Sequence, residues 1–265
     1  MNSTPAAIPV SCTQAKMKFI LTFIFFYSLT CEGQNKIDNP QKTPKTFYSE
    51  ITRQFLAIDS LRNVDYDKLE EANNEVANIL ISYKAEILNS PDTLDYDLIY
   101  LAKSSDKMLA LVSWDTRKGG TMIAFTTMAI YKTPEGTITK MLLDKTDEDM
   151  PFTYMHYNSI NTIAASNGKK IYLAWGNGQG STIIPWQELR TFSISNDKLV
   201  EPKILPNTSS NIRVEFDLHE FTDNQKVPVI KIKNSGRTIL VPIETDSQGF
   251  SGKYKTYVFN GKEFK

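Results

Sequence analysis

Lys107-Met-Leu-Ala-Leu-Val-Ser-Trp-Asp-Thr-Arg-Lys-Gly-Gly-Thr-Met-Ile-Ala-Phe-Thr-Thr-Met-Ala-Ile-Tyr131 holds two apolar segments, Met108 to Trp114 and Met122 to Tyr131, around a charged run that ends in Gly119-Gly120. A glycine pair after charged residues is turn chemistry, so the stretch reads as two antiparallel strands and a tip. In the second segment both alternating faces are apolar: Met122, Ala124, Met128 and Ile130 on one, Ile123, Phe125, Ala129 and Tyr131 on the other. A strand that needs cover on both faces belongs inside a sheet, with one layer above and another below.

Downstream the two-residue period persists. Strands are expected at Leu98–Ala102, Met108–Trp114, Met122–Tyr131, Thr137–Leu143, Tyr154–Ala165, Lys170–Trp175, Leu189–Ile194, Leu199–Leu205, Ile212–Leu218, Val227–Lys233, Thr238–Ile243 and Tyr254–Phe259. Asn167-Gly168, Asn196-Asp197, Ser235-Gly236 and Asn260-Gly261 separate some of them, and such pairs favour the positive backbone angles of tight hairpins, which join antiparallel neighbours. Ile212, Val214, Phe216 and Leu218 alternate with Arg213, Glu215, Asp217 and His219, which predicts a strand with one wet face near an edge.

Upstream the period is helical. Tyr48, Ile51, Phe55, Ile58 and Leu61 form one stripe, and Leu69, Ala72, Val76, Ile79, Tyr83 and Ile87 a second, stopped by Asn89-Ser90-Pro91. Asp67 and Glu70 have capping-box spacing at the second start. Helices first and strands afterwards predict an α+β fold, mainly β: a helical hairpin over 46–90 packed on a large antiparallel meander over 95–265 as one domain. Twelve strands exceed what one open sheet usually holds, which points to a sandwich or partly closed barrel, with propeller-like blades as the alternative.

Residues 1–33 carry a different signal. Lys16-Met17-Lys18 precedes Phe19 to Thr30, twelve uncharged and mostly apolar residues, the pattern of a secretory signal with Met17 as an alternative start. Cleavage before Gln34 would release a soluble chain, whereas lipidation of Cys31 would anchor it to a membrane. No other stretch suggests a transmembrane span, and the polar segment 34–45 reads as a tether. Cys12 and Cys31 are the only cysteines, so the body beyond them has no disulfide or thiol chemistry. Thirty basic residues balance thirty acidic ones, and without Lys16, Lys18 and Glu32 the remainder has 28 and 29, which gives no electrostatic footprint for nucleic acid.

Chemistry-bearing motifs are sparse. Neither a Gly-x-Ser-x-Gly elbow nor a His-Glu-x-x-His helix occurs, and His156 and His219 have no partner motif. Gly176-Asn-Gly-Gln-Gly-Ser181 reads as an inter-strand loop, flanked by Trp175 and Trp186. Those indoles, with Asn177, Gln179 and Ser181, predict a surface for sugar rings or a protein partner, against the alternative that both indoles are core. Asp144, Asp147 and Asp149 in the acidic run 144–149 are candidate calcium ligands, against a solvated turn. No other cofactor is implied. Two readings of function compete: a non-catalytic binding or interaction module, and a glycan- or peptide-directed hydrolase using carboxylates such as Asp147 or Asp217, or His219.

The string from Lys107 to Met122, the Thr30-Cys31-Glu32-Gly33-Gln34 end of the signal and the closing Tyr257-Val-Phe-Asn-Gly-Lys-Glu-Phe264 resemble segments of uncharacterised secreted or envelope β-rich proteins of Bacteroidetes-type bacteria. The resemblance implies an exported, periplasmic or secreted bacterial setting; the signal, the β-rich body and the lack of catalytic motifs add the expectation of an envelope protein or glycan as partner. It carries no activity.

Overall fold

The helical period that begins at Thr46 resolves into three helices. In a computed structural model describing residues 46–90, 98–142, 154–221, 226–245 and 249–265, α1 spans Phe47–Leu61, α2 Tyr66–Ser82 and α3 Lys84–Asn89. The signal segment 1–33, the tether and the acidic run 144–149 lie outside the described residues, which all fall within one unit, 44–265. Thr46 and Ser49 close a reciprocal capping box at the start of α1. At α2 the cap is Asp65, whose side chain accepts from the Lys68 amide at 3.0 Å, in place of the expected Asp67. The expected hairpin over 46–90 also gains a break: Tyr83 ends α2 and begins α3, although the apolar stripe runs on to Ile87.

Among the described residues twelve strands follow: β1 Ile99–Lys103, β2 Leu109–Asp115, β3 Phe125–Thr133, β4 Gly136–Leu142, β5 Met155–Ala164, β6 Lys170–Ser181, β7 Ile184–Ser195, β8 Lys198–Val200, β9 Asn211–Glu215, β10 Lys231–Lys233, β11 Thr238–Glu244 and β12 Phe250–Val258. All pairings are antiparallel. The first sheet is ordered β1-β2-β3-β4, the second β5-β6-β7-β8 with β9 also on β7, and the third β10-β11-β12. The fold is therefore α+β and mainly β, with successive strands paired as the hairpin turns require, and none of the three sheets closes into a barrel. Asn196 and Asp197, at φ 50° and 59°, supply the left-handed pair that the β7–β8 turn needs. Several boundaries shift: Met122 to Ala124 precede β3 rather than opening it, β6 extends well past Trp175, β7 begins at Ile184 rather than Leu189, β8 ends at Val200 rather than Leu205, β9 ends at Glu215 rather than Leu218, β10 begins at Lys231 rather than Val227, and β12 begins at Phe250 rather than Tyr254.

Alternation sorts the side chains into layers. Ala110, Val112 and Trp114 of β2 pack with Phe55, Val76 and Ile87 of the helices, whereas Leu109 and Leu111 share a cluster with Tyr157, Tyr172 and Phe192 of the second sheet. On the opposite face of that second sheet, Ile171, Leu173 and Leu189 meet Ile239 and Phe259. Helices and three sheets thus succeed one another through three apolar layers, the arrangement that a two-sided β2 and β3 demand.

Buried polar groups pin these layers. Asn73 of α2 accepts from Trp114 Nε1 at 3.1 Å and donates to the Thr116 carbonyl at 3.0 Å. Ser113 Oγ accepts from Thr127 at 2.9 Å and from the Tyr157 amide at 3.3 Å, next to a β-bulge between Tyr157 and Ser159. Asp106, at the β1–β2 turn, accepts from Lys170 Nζ at 2.8 Å and Tyr172 Oη at 3.2 Å, tying the first sheet to β6. Burial pushes the Asp106 carboxyl up, but hydrogen bonds from Lys170, Ser104 and the Met108 amide outweigh it and hold the acid below its ordinary value.

Candidate functional site

The surface expected between Trp175 and Trp186 does not form, because Gly176 to Ser181 is strand rather than loop. Gly178 lies opposite Trp186 across the β6–β7 pair, and a Cβ on it would stand 2.2 Å from Trp186 Cε2. The glycines are the floor on which the indole lies, a strand use of glycine where another group approaches closely. Arg213 of β9 stacks over the same ring, 3.9 Å from its centroid, so Trp186 is only 4% exposed. Trp175 packs in the layer against the third sheet and Trp186 in the layer against the first, on opposite faces, so no single ligand can touch both.

The polar residues of the run disperse likewise. Asn177 pairs with His156 and Gln187 inside the sheet, and Ser181 Oγ accepts from the Ile183 amide at 3.4 Å at the β6–β7 tip. Gln179 reaches a cleft, where its Nε2 donates to the Thr121 carbonyl at 3.0 Å. His156 stacks on Tyr100 with centroids 3.8 Å apart and lies 4.9 Å from Phe125. Burial lowers its pKa to about 4, partly offset by a hydrogen bond with Asn158, so the ring is neutral at pH 7. His219 stands in a short 3-10 turn, Leu218–Glu220, rather than at a strand end; its side chain is 71% exposed, with Nδ1 3.4 Å from Asp217. The calcium candidates Asp144, Asp147 and Asp149 lie outside the described residues, and among the described residues no group of three or more His, Cys, Asp or Glu is placed to hold a metal.

What the fold does assemble is a cleft between the α1–α2 corner and the β2–β3 loop. The loop is held from within: Thr116 donates from both its amide and its hydroxyl to the Ala124 carbonyl, at 3.0 and 2.7 Å. Gly119 is required there, since a Cβ would fall 2.1 Å from the Met122 carbonyl oxygen. Arg117 and the Gly119-Gly120 tip separate two adjoining hollows. The larger, about 500 Å³, has Asn63, Val64, Asp65 and Tyr66 on its other wall. The smaller, about 240 Å³, is bounded by Arg62, Asp115, Gln179 and Thr182.

Charge in the larger hollow is paired. Arg117 donates through Nε to Asp59 at 2.9 Å and through a terminal nitrogen to Asp115 at 2.8 Å. Lys118 Nζ pairs with Glu70 and lies 5.6 Å from the Tyr66 ring centroid, and burial lowers its pKa. Asp65 pairs with Lys68 at 3.0 Å. Tyr66 as a residue remains 65% exposed, an aromatic side chain beside fixed donors and acceptors. Tyr66, Asn63 and Arg117 did not stand out in the sequence. The available signal was Arg62-Asn63-Val64-Asp65-Tyr66, a turn carrying two apolar side chains between helices, with Asn63 at φ 59°.

Among the described residues no helix is long and apolar enough to cross a membrane. Against known proteins, the chain has no significant match to a protein-family model, a curated protein or a solved structure.

Proposed function

We propose that the protein is an exported module of the bacterial cell envelope that binds a glycan in the cleft between the α1–α2 corner and the β2–β3 loop. The observation that carries this reading is the exposed Tyr66 on the wall of a hollow of about 500 Å³ whose charges are already paired. An uncharged polyhydroxylated ring gains from an apolar face to stack on and from donors and acceptors around its edge, without needing a net field. Arg117, Asn63 and Asp65 supply both kinds of edge group. Export and an envelope setting are supported by the basic-then-apolar segment Lys16 to Thr30 and by the sequence resemblance, with the mature chain soluble or tethered through Cys31.

The test is a thermal-shift and calorimetric screen of the purified protein against peptidoglycan fragments and neutral oligosaccharides, with calcium and a chelator as paired arms. A ligand at about a hundred times its dissociation constant adds about 2.7 kcal/mol to stability, which a melting curve resolves. Binding by the wild type that falls at least tenfold in Tyr66→Ala supports the reading. A flat screen, or full affinity in that variant, overturns it. A calcium shift abolished by the chelator would direct attention to Asp144, Asp147 and Asp149 instead.

A further inference from the structure

A second concavity lies where the β5–β6 turn, the β7–β8 region and the C-terminal turn come together. It encloses about 470 Å³, within the range of about 300–1,000 Å³ typical of small-ligand sites. Ile171, Val200, Pro202 and Ile204 give it an apolar lining, and Val200 is 40% exposed inside it. The wall is built by close fits. The Ser166 amide donates to the Gly261 carbonyl at 2.8 Å, and the Phe264 amide donates to the Ile204 carbonyl at 2.8 Å. Gly261 sits at φ 96°, and a Cβ there would come 2.1 Å from Ser166 Oγ, so the C-terminal turn is seated directly against the β5–β6 turn.

Electrostatically this pocket is the reverse of the cleft at Tyr66. Its lining contains Lys169 and Lys262 and no acidic residue. Neither lysine forms an ion pair among the described residues, whereas the neighbouring Lys170 is committed to Asp106 and Lys265 to Glu263. Two uncompensated cations on the rim of an apolar hollow complement a ligand with an aliphatic body and an anionic head.

We infer that this pocket, lined by Ile171, Val200, Pro202 and Ile204 under Lys169 and Lys262, binds a free single-chain amphiphile carrying a carboxylate, such as a medium-chain fatty acid. The chain fills the apolar lining and the carboxylate takes the two ammonium groups, which are the groups left without partners. The hydrocarbon contributes most of the affinity and the head group the discrimination.

Isothermal titration of the full chain with decanoate, decanol and decyltrimethylammonium, each below its micellar concentration, tests the assignment alongside vesicles of anionic phospholipid. Decanoate is expected to bind at least tenfold tighter than decanol, with the cation weakest. In Lys169→Met/Lys262→Met decanoate should fall to the level of decanol. Val200→Glu, a change at a partly exposed side chain, should lower decanoate affinity at least tenfold; melting curves without ligand confirm that each variant folds. Equal binding of the three compounds, decanoate binding untouched by Val200→Glu, or binding to vesicles alone overturns the proposal.

Discussion

β2 and β12 are strands of seven and nine residues in the same chain, yet every residue of β2 is buried and none of β12 is. β2 lies inside its sheet, with helices on one face and the second sheet on the other, whereas β12 is the edge strand of the third sheet, with β11 as its strand neighbour and only Val258, at its end, bonded to Lys265. Leu-Ala-Leu-Val-Ser-Trp-Asp can satisfy two dry faces; Phe-Ser-Gly-Lys-Tyr-Lys-Thr-Tyr-Val, with lysines at 253 and 255, suits an edge that must stay single. The difference teaches that energy in this fold is concentrated at strands with layers on both sides, while edges are kept apart by charge.

That contrast can be broken most forcefully at Leu111. Its side chain is fully buried between the first and second sheets, so Leu111→Ala should cost about 2–5 kcal/mol in urea unfolding. A loss below about 1 kcal/mol would mean that the layer is not closely packed. Gly178→Ala comes next. The added methyl must displace the Trp186 indole from its glycine floor, and a cost of about 1–3 kcal/mol is expected, with a change in tryptophan fluorescence.

His156 sharpens the comparison through pH. Its folded pKa is lowered from 6.5 to about 4, so between those values the unfolded chain binds more protons than the folded one. Its contribution is therefore undiminished above about pH 6.5 and is lost as pH falls towards 4. In His156→Phe that part of the slope should vanish when urea midpoints are compared at pH 7 and pH 4.5. The smallest effect belongs to β12: Lys255→Ala should change stability by no more than about 0.5 kcal/mol. A larger loss would show that the Lys255 ammonium, 5.2 Å from the Tyr257 ring centroid, contributes more than edge protection.

Much of this architecture was legible because its causes are local. Short apolar runs and a two-residue period located the strands, and the Asn-Gly and Asn-Asp pairs placed several of the turns between them. Where the sequence misled, the deciding atoms lay elsewhere. Gly176 to Ser181 has loop composition, and only the indole of Trp186, on the next strand, makes it a strand floor. Asp65 and Asp67 both precede a helical stripe, and the choice between them is a helix register that local spacing leaves open. The Tyr66 cleft was invisible for a related reason: Arg117 meets Asp59 across 58 residues, and no window of sequence contains that pair.

The bulge in β5 leads somewhere else again. Beside it the Tyr157 amide donates to Ser113 Oγ, so that one proton reports on the junction between two sheets. Its exchange with deuterated solvent therefore times the parting of the layers, while the ladder amides around it time the unzipping of strands. Should the layers separate before the hairpins dissolve, Tyr157 would lose protection ahead of its ladder-bonded neighbours. One serine hydroxyl thus gives the protein a built-in clock for the docking of its sheets.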